Sequence, residues 1–175
     1  MPRQSCRVGL LRDPNLFTAL RKVMMPARMP NIYKLAADAH RGFSAVEVYV
    51  SSSGIPAGLL ELVRIRASQI NGCAVCTDMH SHRARRLGES DERLWSVAAW
   101  RDTPFFTDAE RAALALTEAM TRIADNSAGV PDDAWHDVAA HFPDEEAAAL
   151  VTAIASVNAW NRINVATRLT AGGFR

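Results

Sequence analysis

The stretch Glu61-Leu-Val-Arg-Ile-Arg-Ala-Ser-Gln-Ile-Asn-Gly-Cys-Ala-Val-Cys-Thr-Asp-Met-His80 decides the reading of this chain. Asn71-Gly72, in its middle, is a turn signal and a natural end for the helix before it. The chain reverses there, and Cys73, Cys76 and His80 follow at spacings that share one face of a second helix. In an antiparallel pair, positions equally far from the turn lie opposite each other. Glu61 is about ten residues before the turn and His80 about nine after it, so the two can meet. A carboxylate, an imidazole and two thiols are therefore expected to converge in one pocket.

The residue types suit one chemistry. The thiolate is the nucleophilic form of cysteine, and both a helix N-terminus and a neighbouring histidine favour it. A carboxylate behind the histidine orients it and stabilises its charged form. A second thiol three residues away can close a disulfide. Two bland readings compete. Glu61 and Arg64 could be a solvated pair on one helix surface. Cys73, Cys76, His80 and Glu61 also offer four ligands for tetrahedral zinc, although three ligands on consecutive turns wrap poorly around one small ion. No metal and no cofactor are expected.

The spacing Glu61-x11-Cys73-x2-Cys76-x3-His80 resembles the signature of the alkylhydroperoxidase D-like (AhpD-like) proteins of the carboxymuconolactone decarboxylase superfamily. Flanking words agree: Ser68-Gln-Ile-Asn-Gly72, Asp78-Met-His80, Ala98-Ala-Trp-Arg101, Thr103-Pro-Phe-Phe106 and Asn158-Ala-Trp-Asn-Arg162. The resemblance runs from about Tyr33 to Leu169. It implies thiol-dependent reduction of hydroperoxides: Cys76 attacks the peroxide and becomes a sulfenic acid, Cys73 condenses with it to a disulfide, and Glu61 and His80 relay the proton. An external dithiol or a lipoylated partner protein would restore the pair, and the family's assembly into dimers, trimers or hexamers implies a homo-oligomer. The family's peroxidase members carry a histidine immediately before the second cysteine, where this chain has Val75. That departure leans toward the alternatives: a dithiol–disulfide oxidoreductase or a redox sensor without efficient peroxide turnover. A decarboxylase ranks lower, because a proton-transfer decarboxylation has no use for the cysteine pair.

Composition narrows the classes. The 175 residues fit one domain, long enough for a core without disulfide staples. A net charge of +1 gives no electrostatic case for nucleic acid or an anionic membrane, and no apolar run approaches a bilayer span. Three cysteines, one of them the outlier Cys6, are not a secreted disulfide framework. Arg7, Arg12 and Asp13 interrupt any signal-peptide core, and a cytoplasmic protein is expected. Residues 1–30 carry six basic side chains against the single acid Asp13 and read as an arm or extension preceding an AhpD-like domain over residues 31–175.

The rest reads as helices: about Asn31 to Val50; a helix opened by Pro56 from within its first turn; the cysteine helix from about Cys73 to Leu87, closed by Gly88; and Asp91 to Ala99 after Ser90, with Trp95 and Trp100 expected in the core. Thr107-Asp-Ala-Glu110 is a capping box. Pro131 and Pro143 start the last two helices. No alternating strand pattern persists, so the chain is expected to be an all-α bundle of about seven helices. From Ala147 to Asn158 the last helix is almost wholly apolar or small, which calls for cover on every side and suggests a subunit interface.

Overall fold

The computed structural model describes residues 26–174, and the proposed arm over residues 1–30 lies mostly outside them. The described residues form eight α-helices and no strand: α1 (Ile32–Leu35), α2 (Ala37–Ser51), α3 (Ala57–Ile70), α4 (Ala74–Arg86), α5 (Asp91–Ser96), α6 (Asp108–Thr121), α7 (Asp132–His141) and α8 (Asp144–Thr167). A 3-10 segment, Val97–Asp102, follows α5, and a short one, Ile123–Asp125, follows α6. No helix among the described residues is long and apolar enough to cross a membrane.

Helix α3 is the axis of the bundle. It packs against α4, α6, α8 and the Val97–Asp102 segment, and every residue from Leu59 to Ile65 is buried, Glu61 and Arg64 included. One core joins Val50, Leu59, Leu60, Val63, Leu116, Leu150 and Ile154; a second joins Leu62, Ile65, Val97, Trp100, Phe106 and Leu114 on the other side of α3. Burial of several such aliphatic side chains, each about 1.5–3 kcal/mol, fixes α3 in place and makes it a rigid platform for polar groups on its remaining face.

The turn after α3 forms as its sequence requires. Gly72 takes φ +65°, its N–H bonds to Gln69 O at 3.3 Å, and the Cys73 N–H bonds to Ser68 O at 2.9 Å. These are the paired bonds of a Schellman motif, whose left-handed position suits glycine. Cys73 is then the N-cap of α4 rather than its first residue. At the far end of α4, Gly88 (φ +98°) closes the helix in the same way.

Several expectations need correction. Pro56 precedes α3 as its N-cap with an extended ψ of 129°, so it does not occupy the first turn. The helix expected from Asn31 is broken at Ala36 (ψ 44°) into α1 and α2. Helix α5 stops at Ser96, and the tighter winding that follows, kinked at Ala99, turns Val97 and Trp100 inward; Trp95 is left 74% exposed and is not core. The Thr107–Glu110 capping box forms in both directions. Most apolar residues of α8, among them Ala149, Leu150, Ala153, Ile154 and Val157, are covered by α2, α3, α6 and α7 of the same chain. The apolar character of α8 is thus largely accounted for within one subunit, apart from exposed Ala148, Ala155, Val165 and Ala166.

Candidate active site

The α3–α4 hairpin brings Glu61, Cys73, Cys76 and His80 together. His80 Nδ1 lies 2.7 Å from Glu61 Oε2, and both side chains are buried. The other carboxylate oxygen of Glu61 accepts from Arg64 Nη1 at 2.7 Å. Glu61 and Arg64 do pair, but at 5% and 6% exposure they are no solvated surface pair. Arg64 continues through Nη2 to Glu47 Oε2 at 2.7 Å, and Glu47 Oε1 accepts from Ser156 Oγ at 2.6 Å and Trp160 Nε1 at 3.2 Å. The result is a continuous polar chain from His80 to α2 and α8. Burial would raise the Glu61 carboxyl, but the hydrogen bond and charge of His80, with Arg64 behind, outweigh it and hold Glu61 below the usual carboxylate range. Among the described residues no group of three or more His, Cys, Asp or Glu is disposed to hold a metal ion.

Both thiols are reduced and almost fully buried, at 2% for Cys73 and 1% for Cys76. They differ sharply in environment. The interaction between the two thiols is the largest influence on both: it lowers Cys76, to about 6, and raises Cys73. Asn164 Nδ2 donates to Cys76 Sγ at 3.1 Å. Asn161, held by Ser68 and Asn71, adds to the same effect, and His80 acts through its charge. The histidine is therefore a smaller influence on Cys76 than its helical spacing suggests, and amides on α8 do much of the stabilising.

A cavity of about 480 Å³ opens onto these groups. Cys76, His80, Glu61 and Asn164 line its polar side; Val75, Met79, Val157, Trp160, Leu169 and Phe174 line its apolar side. Tyr33, His40, Phe43 and Trp160 form an aromatic cluster, with the Tyr33 and Trp160 ring centroids 5.5 Å apart. Leu169 and Phe174 pack against the cysteines, and the backbone N–H of Gly172 bonds to Asp78 Oδ2 at 2.7 Å, so the chain after α8 folds over the thiols. His82 pairs with Asp78 at 3.4 Å and does not line the cavity.

All four site residues named from the sequence meet here. Asn161, Asn164, Tyr33 and Glu47 carry no role in the sequence reading, and Arg64 enters it only as a surface partner of Glu61. A signal existed for the asparagines: Asn158, Asn161 and Asn164 recur every three residues in the second half of α8. Asparagine is a poor helix-interior residue, and buried amides need partners.

The profile of the carboxymuconolactone decarboxylase family matches residues 35–119, which include the whole hairpin. YdfG, an uncharacterized protein of Bacillus subtilis (strain 168), is 40% identical over 134 residues, covering 77% of this chain and 90% of that protein. Among solved structures, ATU0492 of Agrobacterium tumefaciens, a protein of unknown function named as a candidate AhpD antioxidant defence protein, is 39% identical with a TM-score of 0.79, covering 84% of this chain and 99% of its own. The debrominase Bmp8, in complex with 2,3,4-tribromopyrrole, shares the fold at 19% identity and a TM-score of 0.70, over 91% of this chain and 85% of its own. With the hairpin, the cysteine pair and the Glu61–His80 contact in place, this chain belongs to the AhpD-like proteins of the carboxymuconolactone decarboxylase family.

Proposed function

We propose that the protein is a thiol-dependent peroxidase acting on organic hydroperoxides, with Cys76 as the attacking thiol and Cys73 as the resolving one. The observation that carries this reading is the environment of Cys76. It packs with Cys73, receives a hydrogen bond from Asn164, has its ionisation lowered by both toward the thiolate, and shares a cavity with the Glu61–His80 pair.

The Cys76 thiolate attacks the terminal peroxide oxygen. The O–O bond breaks, its electron pair goes to the alkoxide, and His80 supplies the proton that makes it an alcohol. Glu61 keeps the imidazole oriented and stabilises its charge. The Cys73 thiol then attacks the sulfenic sulfur, forming the disulfide and releasing water. Two electrons have passed from the two thiols to the peroxide, and a dithiol or lipoylated protein returns them by thiol–disulfide exchange. The apolar wall of the cavity suits an organic substituent on the peroxide. We propose further that the protein works as a homo-oligomer in the reducing cytoplasm.

One observation favours a second reading. Val75 stands at the cavity wall where the family's peroxidase members have histidine, so the pair could exchange disulfides with little peroxide turnover. Consumption of cumene hydroperoxide with a dithiol reductant decides between them: sustained turnover supports the peroxidase, and a single stoichiometric oxidation of Cys73 and Cys76, seen by intact-mass loss of two protons, supports the alternative. No change in mass would refute dithiol chemistry altogether.

A further inference from the structure

The Asn164 amide faces two partners at once. Its Nδ2 donates to Cys76 Sγ at 3.1 Å, and its Oδ1 accepts from the Tyr33 hydroxyl. Tyr33 comes from α1, a single turn offset from α2 by the break at Ala36. An amide in this position has two orientations. With N–H₂ toward the sulfur it stabilises a thiolate; turned over, it puts its carbonyl there and suits only a neutral thiol that can donate to it.

We propose that Tyr33 is a positioning residue that sets the orientation of Asn164, and through it the charge state and reactivity of Cys76. The inference deepens the reading of Cys76 as the reactive thiol and rests on that reading.

Three observations agree. First, the amide is anchored for this contact: Asn164 sits on α8, on the same stripe as Asn158 and Asn161, and is 7% exposed, which limits competition from water. Second, the phenol remains a donor. Burial, and next the negative charge at Cys76, push its own ionisation up to about 12, so at neutral pH it can fill the carbonyl end of the amide with a proton. Third, the bonds run in one direction, O–H to O=C and N–H to S. Each polarises the next, so the hydroxyl strengthens the N–H donor at the sulfur. The ring is itself held, since it packs on His40 and Trp160. The break between α1 and α2 thereby gains a purpose: α1 presents the hydroxyl at the C-terminal part of α8. The backbone N–H of Arg28 bonds to Thr167 O at 2.8 Å and ties the segment before α1 to the same place.

The test is the pH profile of carboxamidomethylation at Cys76 by iodoacetamide, located by tandem mass spectrometry, in the full chain. It needs no peroxide, so it is independent of turnover. Tyr33→Phe should raise the midpoint by about half to one pH unit, the size of one net hydrogen bond. Asn164→Ala should raise it further, and the double variant should match Asn164→Ala alone, because Tyr33 acts only through the amide. A melting temperature for each variant establishes that it folds; if Tyr33→Phe does not, Tyr33→Met replaces it. The proposal is overturned if the Tyr33→Phe profile superimposes on that of the parent chain, or if the Tyr33 shift persists undiminished in the Asn164→Ala background. If the shifts appear in a protein that consumes no peroxide, the peroxidase reading fails and this one stands. A parent midpoint at the ordinary cysteine value overturns both.

Discussion

Cys73 is more than a resolving thiol in this geometry: its S–H is the largest influence holding Cys76 as a thiolate. Replacing it separates the two roles. Cys73→Ala and Cys73→Ser both prevent the disulfide, so a sulfenic acid at Cys76 should accumulate and be trapped by dimedone. Serine keeps a donor at this position, whereas alanine removes it. A hydrogen bond to a charged acceptor contributes about 1.5–3 kcal/mol, and a weak S–H donor belongs at the low end, near one pH unit. From a starting value of about 6, the alanine variant should titrate near 7. At pH 6 its thiolate fraction then falls from about one half to about one tenth, roughly a fivefold loss of reactive form. At high pH the order reverses slightly, because a thiolate of higher pKa is intrinsically the better nucleophile. The midpoint of the pH–rate profile, rather than a rate at one pH, is therefore the quantity to measure, by stopped-flow dimedone trapping over pH 5–9. Coincident alanine and serine profiles would refute the donor role of Cys73. If Cys76→Ser forms sulfenic acid normally and the Cys73 variants do not, the helix N-terminus has outweighed the Cys73, Asn164 and His80 contributions and the assignment of the two thiols is reversed.

Other expectations follow from the same contacts. Glu61→Gln leaves Arg64 and His80 without their shared charge and should cost about 3 kcal/mol in a guanidinium melt, the low end for breaking a buried pair, since the amide still accepts. The depressed ionisation of Glu61 gives stability that is present above the ordinary carboxylate value near 4.3 and is lost as pH falls through the lower folded value; the variant should show a flatter acid limb. His80→Ala should slow sulfenic acid formation and raise the Cys76 midpoint by less than Cys73→Ala does. Glu118, which accepts from Arg66 Nε at 2.7 Å and Trp100 Nε1 at 3.0 Å, organises the far side of α3; Glu118→Ala should destabilise the fold by at least about 3 kcal/mol and leave the Cys76 midpoint where it is. Light scattering at micromolar concentration should show an oligomer, which would cover Leu35, Val48 and Tyr49, exposed in the single chain; a monomer would refute that expectation.

The hairpin was readable because its information is local. A glycine at the one left-handed position, and distances counted from it along two regular helices, suffice to place Glu61 opposite His80. Capping at Thr107 and the starts at Pro131 and Pro143 are local in the same sense. What the chain hides is whatever depends on another element. Trp95 and Trp100 look alike in sequence, and only the change of winding between them decides which faces inward. Arg64 reads as half of a helical surface pair until α2 supplies Glu47, 17 residues away. Asn164 lies 88 residues from Cys76, on a helix whose apolar content invites an interface reading; its value as a thiolate donor comes from packing α8 against α4, which no periodicity expresses.

The polar chain behind His80 also fixes what the reaction should exchange with solvent. Glu47 and Glu61 share Arg64, so one of the two carboxylates is compensated and Glu61 remains free to stabilise an imidazolium 2.7 Å away. On the proposed mechanism the cluster holds a thiolate and an imidazolium before reaction, and a disulfide and a neutral ring afterwards. The negative charge and the proton leave together, so the buried cluster keeps its net charge. That is the course a low-dielectric site favours, because an uncompensated change of charge there is costly. The two protons needed to make alcohol and water come from His80 and the Cys73 thiol. A single turnover with one equivalent of cumene hydroperoxide, in weakly buffered solution with a pH indicator at about pH 7, should therefore take up almost no protons as the disulfide forms. Uptake of a full proton per disulfide would mean that the imidazole was neutral at the start, and the role given to Glu61 would fall with it.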